Sequence, residues 1–210
     1  MFTKRDPVHE TNQEGHKRQD IVTDSDDERK TGGWRFFLWW MLAFLGFPIG
    51  GWLALVLVGS VEGVVSGALG GALAGAVIGA SQWLVLRRYP RLRVGLEWIL
   101  ATALGVAIGD GLGALLTGAG TGLGALLITG LATGVAVGML QWGLVLRDRL
   151  ALANLWPPVV AIAWPVGWTV TWAAGIDVES GYYAFGASGA LVFAAITGLG
   201  MLLMLRGRTR

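Results

Sequence analysis

A few polar side chains interrupt the long apolar stretches of this 210-residue chain, and these side chains are the ones that could do chemistry. Asp110 lies in the segment GDGLG. A carboxylate inside a membrane is a functional candidate by default, and a solvated residue at a frayed helix end is the alternative. Gln82 and Gln141 each precede a tryptophan, in SQWLVLRR and LQWGLVLRD. Amides at such positions form hydrogen bonds between helices or line a polar path.

Catalytic and metal chemistry has few residues to draw on. The chain has no cysteine, and its two histidines, His9 and His16, lie near the N-terminus. Thiolate clusters, iron–sulfur centres and histidine-ligated haem are therefore excluded from the apolar part of the chain. No serine–histidine pair and no HExxH motif is found there either. We expect no catalytic residue, no metal and no cofactor, and a protein that is not an enzyme.

The apolar stretches that position these side chains have the length of membrane spans. Hydrophobic residues make up 54% of the chain and charged residues 14%, against about 25% charged residues in a soluble protein. A span needs about 20 mostly apolar residues, and six stretches qualify, near residues 35–58, 62–86, 96–116, 121–146, 155–174 and 184–205. The sequence predicts an all-α, six-span membrane bundle over residues 34–210, after a disordered, acidic and polar tail over residues 1–33.

Basic residues predict the orientation of the spans. With six spans, all 16 Lys and Arg residues fall on the side of both termini and of the loops after spans two and four. By the positive-inside rule this side is the cytoplasm, and the membrane is the plasma (inner) membrane. The basic pI therefore reflects topology, so no nucleic-acid partner is expected. Three arginines at span ends are predicted to be cytoplasmic anchors: Arg87, Arg147 and Arg206.

Tryptophans gather near the cytoplasmic span ends, where indole rings favour the headgroup level. Seven of them are predicted to be interfacial anchors: Trp34, Trp39, Trp40, Trp83, Trp98, Trp142 and Trp156. Glu97 follows Arg93 by four residues and is expected to form an ion pair with it at the same interface. Asp148 lies between two arginines, and we expect a surface ion pair there.

A hairpin of two spans recurs along the chain. The segment GAVIGASQWLVLRR (75–88) returns as GVAVGMLQWGLVLRD (134–148) at an offset of 59 residues, with one extra residue before Arg147. The last span continues the series at an offset of 60, with Met201 in the place of the glutamine. The odd spans match too, WWMLAFLGFPIGGW (39–52) on WILATALGVAIGDG (98–111). We expect three tandem hairpins, about residues 34–91, 92–149 and 150–210, around a pseudo-threefold axis along the membrane normal.

Glycine at every fourth position makes a groove along the even spans. The grooves consist of Gly67, Gly71, Gly75 and Gly79 in span two and of Gly130, Gly134 and Gly138 in span four. Such a groove lets a second helix backbone approach closely. At about 100° per residue, Gln82 falls within the arc of its four glycines. Gln82 and Gln141 should therefore face neighbouring helices or a polar path, and these two alternatives look alike in sequence.

The span endings QWLVLR and QWGLVLR, on glycine-rich spans, resemble a group of uncharacterised multi-pass bacterial membrane proteins. The resemblance covers spans two to six. It implies a bacterial membrane setting, and it carries over no catalytic residue and no assigned function.

Two functions are compatible with these features. The favoured one is a non-enzymatic, tightly packed bundle that acts as a scaffold or complex subunit, with the lipid bilayer around it and a membrane protein or a second copy as partner. The alternative is a channel or passive transporter for a small solute along the pseudo-threefold axis. Its lining would come from Gln82, Gln141, Asp110 and threonines such as Thr102, Thr129 and Thr133.

Overall fold

The computed structural model describes residues 32–89, 92–175 and 186–207, and every regular element in these ranges is helical. The helices are α1 (Gly32–Val58), α2 (Val64–Leu86), α3 (Glu97–Thr117), α4 (Leu123–Gln141), α5 (Trp156–Ala173) and α6 (Ala187–Arg206). The prediction of an all-α chain is confirmed, and each helix lies within a few residues of a predicted stretch. The predicted tail lies outside the described residues except for its last two, which begin α1.

Five of these helices are long and apolar enough to cross a membrane, namely α1, α2, α3, α6 and α4 with its continuation to Leu146. They fit a multi-pass membrane protein. Helix α5 has 18 residues and does not reach the same mean hydropathy, since it contains four tryptophans and three prolines. The chain divides into two units after Phe36, and the packing described below concerns the second, Phe37–Arg210.

Large apolar side chains cover the outside of this unit. Leu57, Val65 and Leu116 are 68%, 72% and 65% exposed, which would be costly in water and is expected of a surface that faces lipid. The residues buried inside are mostly glycine, alanine, threonine and aromatic residues. The helices are therefore apolar on all sides, as in a membrane bundle.

Each helix packs against the next one in the chain, and α6 returns to α1, so that the helices form a closed ring. Neighbours run antiparallel. Gly67, near the start of α2, lies against Asp110 of α3, and Gly79, near the end of α2, lies against Ile99. We call the end of the ring at which α2 and α4 finish the arginine end, because Arg87 and Arg147 follow there, and the other end the opposite end.

Glycine allows neighbouring backbones to approach each other directly. A Cβ atom at Gly75 would lie 2.9 Å from the Ala103 Cα, and one at Gly134 would lie 2.9 Å from the Ala161 Cα. No real Cβ fits at such distances. At five more groove glycines, an added Cβ would lie between 2.8 and 3.0 Å from the nearest atom of the neighbouring helix: Gly67, Gly71, Gly79, Gly130 and Gly138. The α2 groove thus receives the α3 backbone, and the α4 groove receives the α5 backbone.

Three described turns depart from α geometry, and one of them is the 3₁₀ turn Ala153–Leu155 just before α5. In α1, Ala43–Leu45 is a 3₁₀ turn. After α4, Trp142–Leu146 is a π turn, in which the Arg147 N–H donates to the Trp142 carbonyl at 3.0 Å. At the end of α2, the Arg87 N–H donates to the Trp83 carbonyl, four residues back, at 2.9 Å. The wider π turn therefore accommodates the extra residue before Arg147.

The close approach of α3 to α4 can be tested at Gly105, whose added Cβ would lie 2.6 Å from the Val137 Cα. We expect Gly105→Ala to lower the midpoint of thermal unfolding in detergent, because overpacking of this kind costs about 1–3 kcal/mol. Gly124→Ala is the matched control on α4, since a Cβ there meets nothing within 4 Å. Equal midpoints for the two variants would contradict the close approach.

Candidate functional site

Three tryptophans from alternate helices meet inside the ring near the arginine end. They are Trp40 of α1, Trp98 of α3 and Trp156 of α5, each at most 1% exposed. Their ring centroids are 6.5 Å (Trp40–Trp98), 6.3 Å (Trp40–Trp156) and 5.9 Å (Trp98–Trp156) apart, with edge-on or tilted contacts that favour aromatic pairs. The prediction that these three are interfacial anchors is therefore wrong. Trp40, rather than Trp39, is the buried ring that contacts Trp98.

Helix starts place two of these rings. Trp98 follows Glu97, the first residue of α3, and Trp156 is the first residue of α5. Pro157 and Pro158 come next, and proline is tolerated there because the first turn of a helix needs no N–H donors. Both indoles thus enter the interior at the same level of the ring.

Each of the three indoles donates a hydrogen bond to a polar side chain on another helix. Trp98 Nε1 donates to Gln82 Oε1 of α2 at 3.0 Å, and Trp156 Nε1 donates to Gln141 Oε1 of α4 at 2.7 Å. The two glutamines are 4% and 1% exposed. Both amides therefore face a neighbouring helix and are bonded to it.

The third indole uses a different acceptor. Trp40 Nε1 donates to Thr197 Oγ1 of α6 at 3.1 Å. Thr197 precedes Met201 by one helical turn, so the two side chains share a helix face. Sequence reasoning misses Thr197. A signal for it exists, since its hydroxyl lies one turn before Met201, which stands in the place of the glutamine. Each of the three indole hydrogen bonds therefore links an odd-numbered helix to an even-numbered one. The bond from Trp40 to Thr197 links α1 to α6.

A further bond joins the cluster across three helices. Gln141 Nε2 donates to Thr102 Oγ1 of α3 at 2.9 Å, and Thr102 Oγ1 donates to the Trp98 carbonyl at 2.7 Å. Gln141 thus binds α5 through its oxygen and α3 through its nitrogen. We call Trp40, Trp98, Trp156, Gln82, Gln141, Thr102 and Thr197 the indole–amide cluster.

A second aromatic group fills the interior on the far side of this cluster from the arginine end. The ring centroids of Phe47 and Trp164 are 5.9 Å apart, and Phe193 lies 4.9 Å from the first and 5.1 Å from the second. All three side chains are at most 3% exposed. Aromatic side chains therefore occupy the interior at two successive levels.

Asp110 lies apart from the cluster, about 18 Å along α3 from Trp98. It is 7% exposed, and α3 continues beyond it to Thr117, so the alternative of a frayed helix end is wrong. Thr133 Oγ1 of α4 donates to Asp110 Oδ1 at 2.9 Å, while Oδ2 has no hydrogen-bond partner among the described residues. The structure thus pairs Asp110 with Thr133, and brings neither to Gln82 or Gln141.

The charged residues at the arginine end hold the loops. Arg149 Nη2 lies 3.0 Å from Glu97 Oε1, so the partner of Glu97 is Arg149, and the expected pair with Arg93 is wrong. The expected surface pair at Asp148 is formed with Arg147 at 3.3 Å. The Arg87 guanidinium lies 5.0 Å from the centre of the Trp83 ring, and the third predicted anchor, Arg206, is the exposed last residue of α6.

No protein-family model, curated protein or solved structure matches this chain. What the site can do is therefore argued from its own chemistry. Amides, hydroxyls and indoles are neutral, and none of them is a strong general base at neutral pH. Within the described ranges, no three His, Cys, Asp or Glu side chains come together as a metal site would require. The arrangement joins helices and fills the interior between them.

The hydrogen bonds of the cluster predict unequal effects of the two glutamines. We expect Gln141→Met to lower the free energy of unfolding more than Gln82→Met, because Gln141 makes two of these bonds and Gln82 makes one. Bonds between membrane helices contribute about 0.6 kcal/mol each on average and at most about 1.7 kcal/mol. The measurement is reversible unfolding in mixed micelles, with Met201→Leu as the control at the position that lacks an amide.

A double-mutant cycle assigns the effect to the bond itself. Trp156→Phe keeps an aromatic ring and removes the N–H that Gln141 accepts. We expect Gln141→Met and Trp156→Phe to be coupled by a few tenths of a kcal/mol or more, and Gln141→Met and Trp40→Phe to be additive. Additivity in both cycles would contradict the role of Gln141.

Proposed function

We propose that this chain is a non-enzymatic bundle of six membrane spans, built from three hairpin repeats, that acts as a scaffold or complex subunit. The observation that carries the proposal is the indole–amide cluster. It engages Gln82 and Gln141 in bonds between helices, and its last bond, from Trp40 to Thr197, links the final helix to the first. A bundle held in this way is closed and rigid.

The antiparallel order supports a sixth span. Gly138, at the end of α4, lies against Pro157 at the start of α5, and Gly200, toward the end of α6, lies against Val159. Helices α4 and α6 therefore both end at the arginine end, where α5 begins. If both cross the membrane, the chain has to return through it between them, and α5 has the length to do so and no charged residue.

The spacing of the cluster supports three repeats. Trp40, Trp98 and Trp156 follow one another at equal intervals of 58 residues. Beyond them, Trp40 lies six residues before Gly46, whereas Trp98 lies seven before Gly105. Three of the six residue steps from Trp40 to Gly46 belong to the 3₁₀ turn, which rises about 2.0 Å per residue. The distance along the helix axis is therefore about 10.5 Å, which equals seven α-helical residues at about 1.5 Å each. The 3₁₀ turn thus offsets the missing residue.

The interior supports a scaffold over a channel. A conducting path needs a polar lining that binds the solute weakly at several sites. Here the two glutamines are committed to indoles, the indoles contact one another, and Phe47, Trp164 and Phe193 follow at the next level. The two amides that a channel would use are occupied in joining helices.

The orientation that we propose has the arginine end in the cytoplasm, as the positive-inside rule requires. The chain has no cysteine, so single cysteines report the side on which they lie. We expect an impermeant maleimide to label Ser60→Cys and Thr121→Cys, between α1 and α2 and between α3 and α4, from outside intact cells. Tyr89→Cys, after α2, should be labelled only after the membrane is permeabilised, and the reverse pattern would overturn the orientation.

Flux through the protein separates the scaffold from the alternative. We expect proteoliposomes that contain the purified chain to leak glycerol and K⁺ no faster than protein-free liposomes of the same lipids, because the interior is filled. A pore-forming peptide in the same liposomes is the positive control. Faster, saturable flux that Gln82→Met and Gln141→Met abolish would favour the channel and contradict the scaffold.

A further inference from the structure

The carboxyl group of Asp110 is enclosed between helices, and the proposed scaffold has no need of a carboxyl group there. Thr133 on α4 donates to Oδ1 at 2.9 Å, and Oδ2 points at α2, where a Cβ on Gly71 would lie 3.1 Å from it. The atom Oδ2 is fully buried and has no hydrogen-bond partner in the described part of the chain. One carboxyl oxygen is thus satisfied and the other is enclosed without a donor.

Among the residues that the structure describes, no positive charge is placed to balance an ionised Asp110. Helices α2 and α4, which pack against α3, contain no charged residue, and neither does α5 or the part of α1 from Gly46 to Val58. On α3 itself the other charge is Glu97, at the arginine end, and on α6 it is Arg206, at the same end. At the opposite end, the described charged side chain is Glu62, which is exposed and has the same sign.

The space around Oδ2 does not fit a metal cation. Hard cations take six or more oxygen ligands. Thr133 Oγ1 lies 2.9 Å from Oδ1 and 2.9 Å from the Thr129 carbonyl oxygen, and Gly71 closes the other side, where its Cβ would also lie 2.8 Å from the Val106 carbonyl oxygen. A proton needs only one oxygen and no additional volume.

We propose that Asp110 is a proton-binding site in the half of the bundle near the opposite end, and that its carboxyl group is protonated in the resting protein. A carboxyl group that holds a proton there is neutral, as its apolar surroundings demand. Loss of the proton leaves a carboxylate against the Gly71 backbone, and water has to enter between α2 and α3 to solvate it. Proton occupancy is therefore linked to the contact between these helices. This inference stands apart from the proposed scaffold, which uses no titrating group.

Infrared difference spectroscopy tests the proton directly. The measurement is the spectrum of wild type minus Asp110→Asn, in a detergent without ester groups near neutral pH. We expect the carbonyl stretch of a protonated carboxylic acid, which shifts down in D₂O and disappears as the pH is raised. Glu97→Gln is the control, because Glu97 is held by Arg149 and is partly exposed; its difference spectrum should contain carboxylate bands only.

Thr133 variants distinguish this environment from an incidental one. Thr133→Val removes the bond to Oδ1 and should move the carbonyl band to higher frequency, while Thr133→Ser should restore its position. This shift is measured in chains that keep Asp110, so it tests the proposal even if Asp110→Asn does not fold. Carboxylate bands alone for Asp110 at neutral pH would overturn the proposal. So would a carbonyl band that appears only when Na⁺ is replaced by choline, since Asp110 would then hold a cation.

Discussion

Helices in a bilayer gain no hydrophobic free energy by packing against one another, so this bundle depends on backbones that lie in direct contact. Glycine makes that contact. At Gly75 and at Gly134 the place of a Cβ is taken by the neighbouring helix. Because α2 and α3 approach so closely, a glutamine and a tryptophan on the two helices come within bonding distance. The same approach keeps the interior narrow enough for three indoles to fill it, so the cluster is a consequence of the grooves.

Close contact also makes the bundle sensitive to the length of each helix. One residue more or less turns every following side chain by about 100° and would carry the glycines out of contact. The chain contains two such differences, one in α1 and one after α4, and both lie at turns of altered pitch, the 3₁₀ turn Ala43–Leu45 and the π turn Trp142–Leu146. Each altered turn takes up the added or missing residue locally, so the helix beyond it keeps its rotation. Trp40 and Gly46, on either side of the 3₁₀ turn, therefore both remain on the buried face.

Sequence reasoning predicts the helices and the grooves, because hydropathy and glycine spacing are local properties. It places Gln82 on the buried face for the same reason. It fails where the answer depends on the 3₁₀ turn, since a count at constant pitch matches Trp39 with Trp98, whereas Trp40 is the buried ring. It also fails for tryptophan in general, because an indole near a span end suits both the headgroup level and a hydrogen-bonded interior. That Thr197 is an acceptor for Trp40 depends on α6 lying beside α1, which no local pattern specifies.

The proposed repeats agree at the arginine end and differ at the opposite end, and this contrast bears on function. At the arginine end, each odd helix contributes a tryptophan and each even helix an acceptor. Farther along, α1 and α2 meet through the small residues Ala54 and Ala74, whereas α3 and α4 meet through Asp110 and Thr133. A hairpin that served only to pack would not need a carboxyl group where the first hairpin uses alanine, since a buried carboxyl group is costly in lipid. The shared end therefore maintains the ring, and the divergent end, with Asp110 between α2 and α4, contains the proposed proton-binding site.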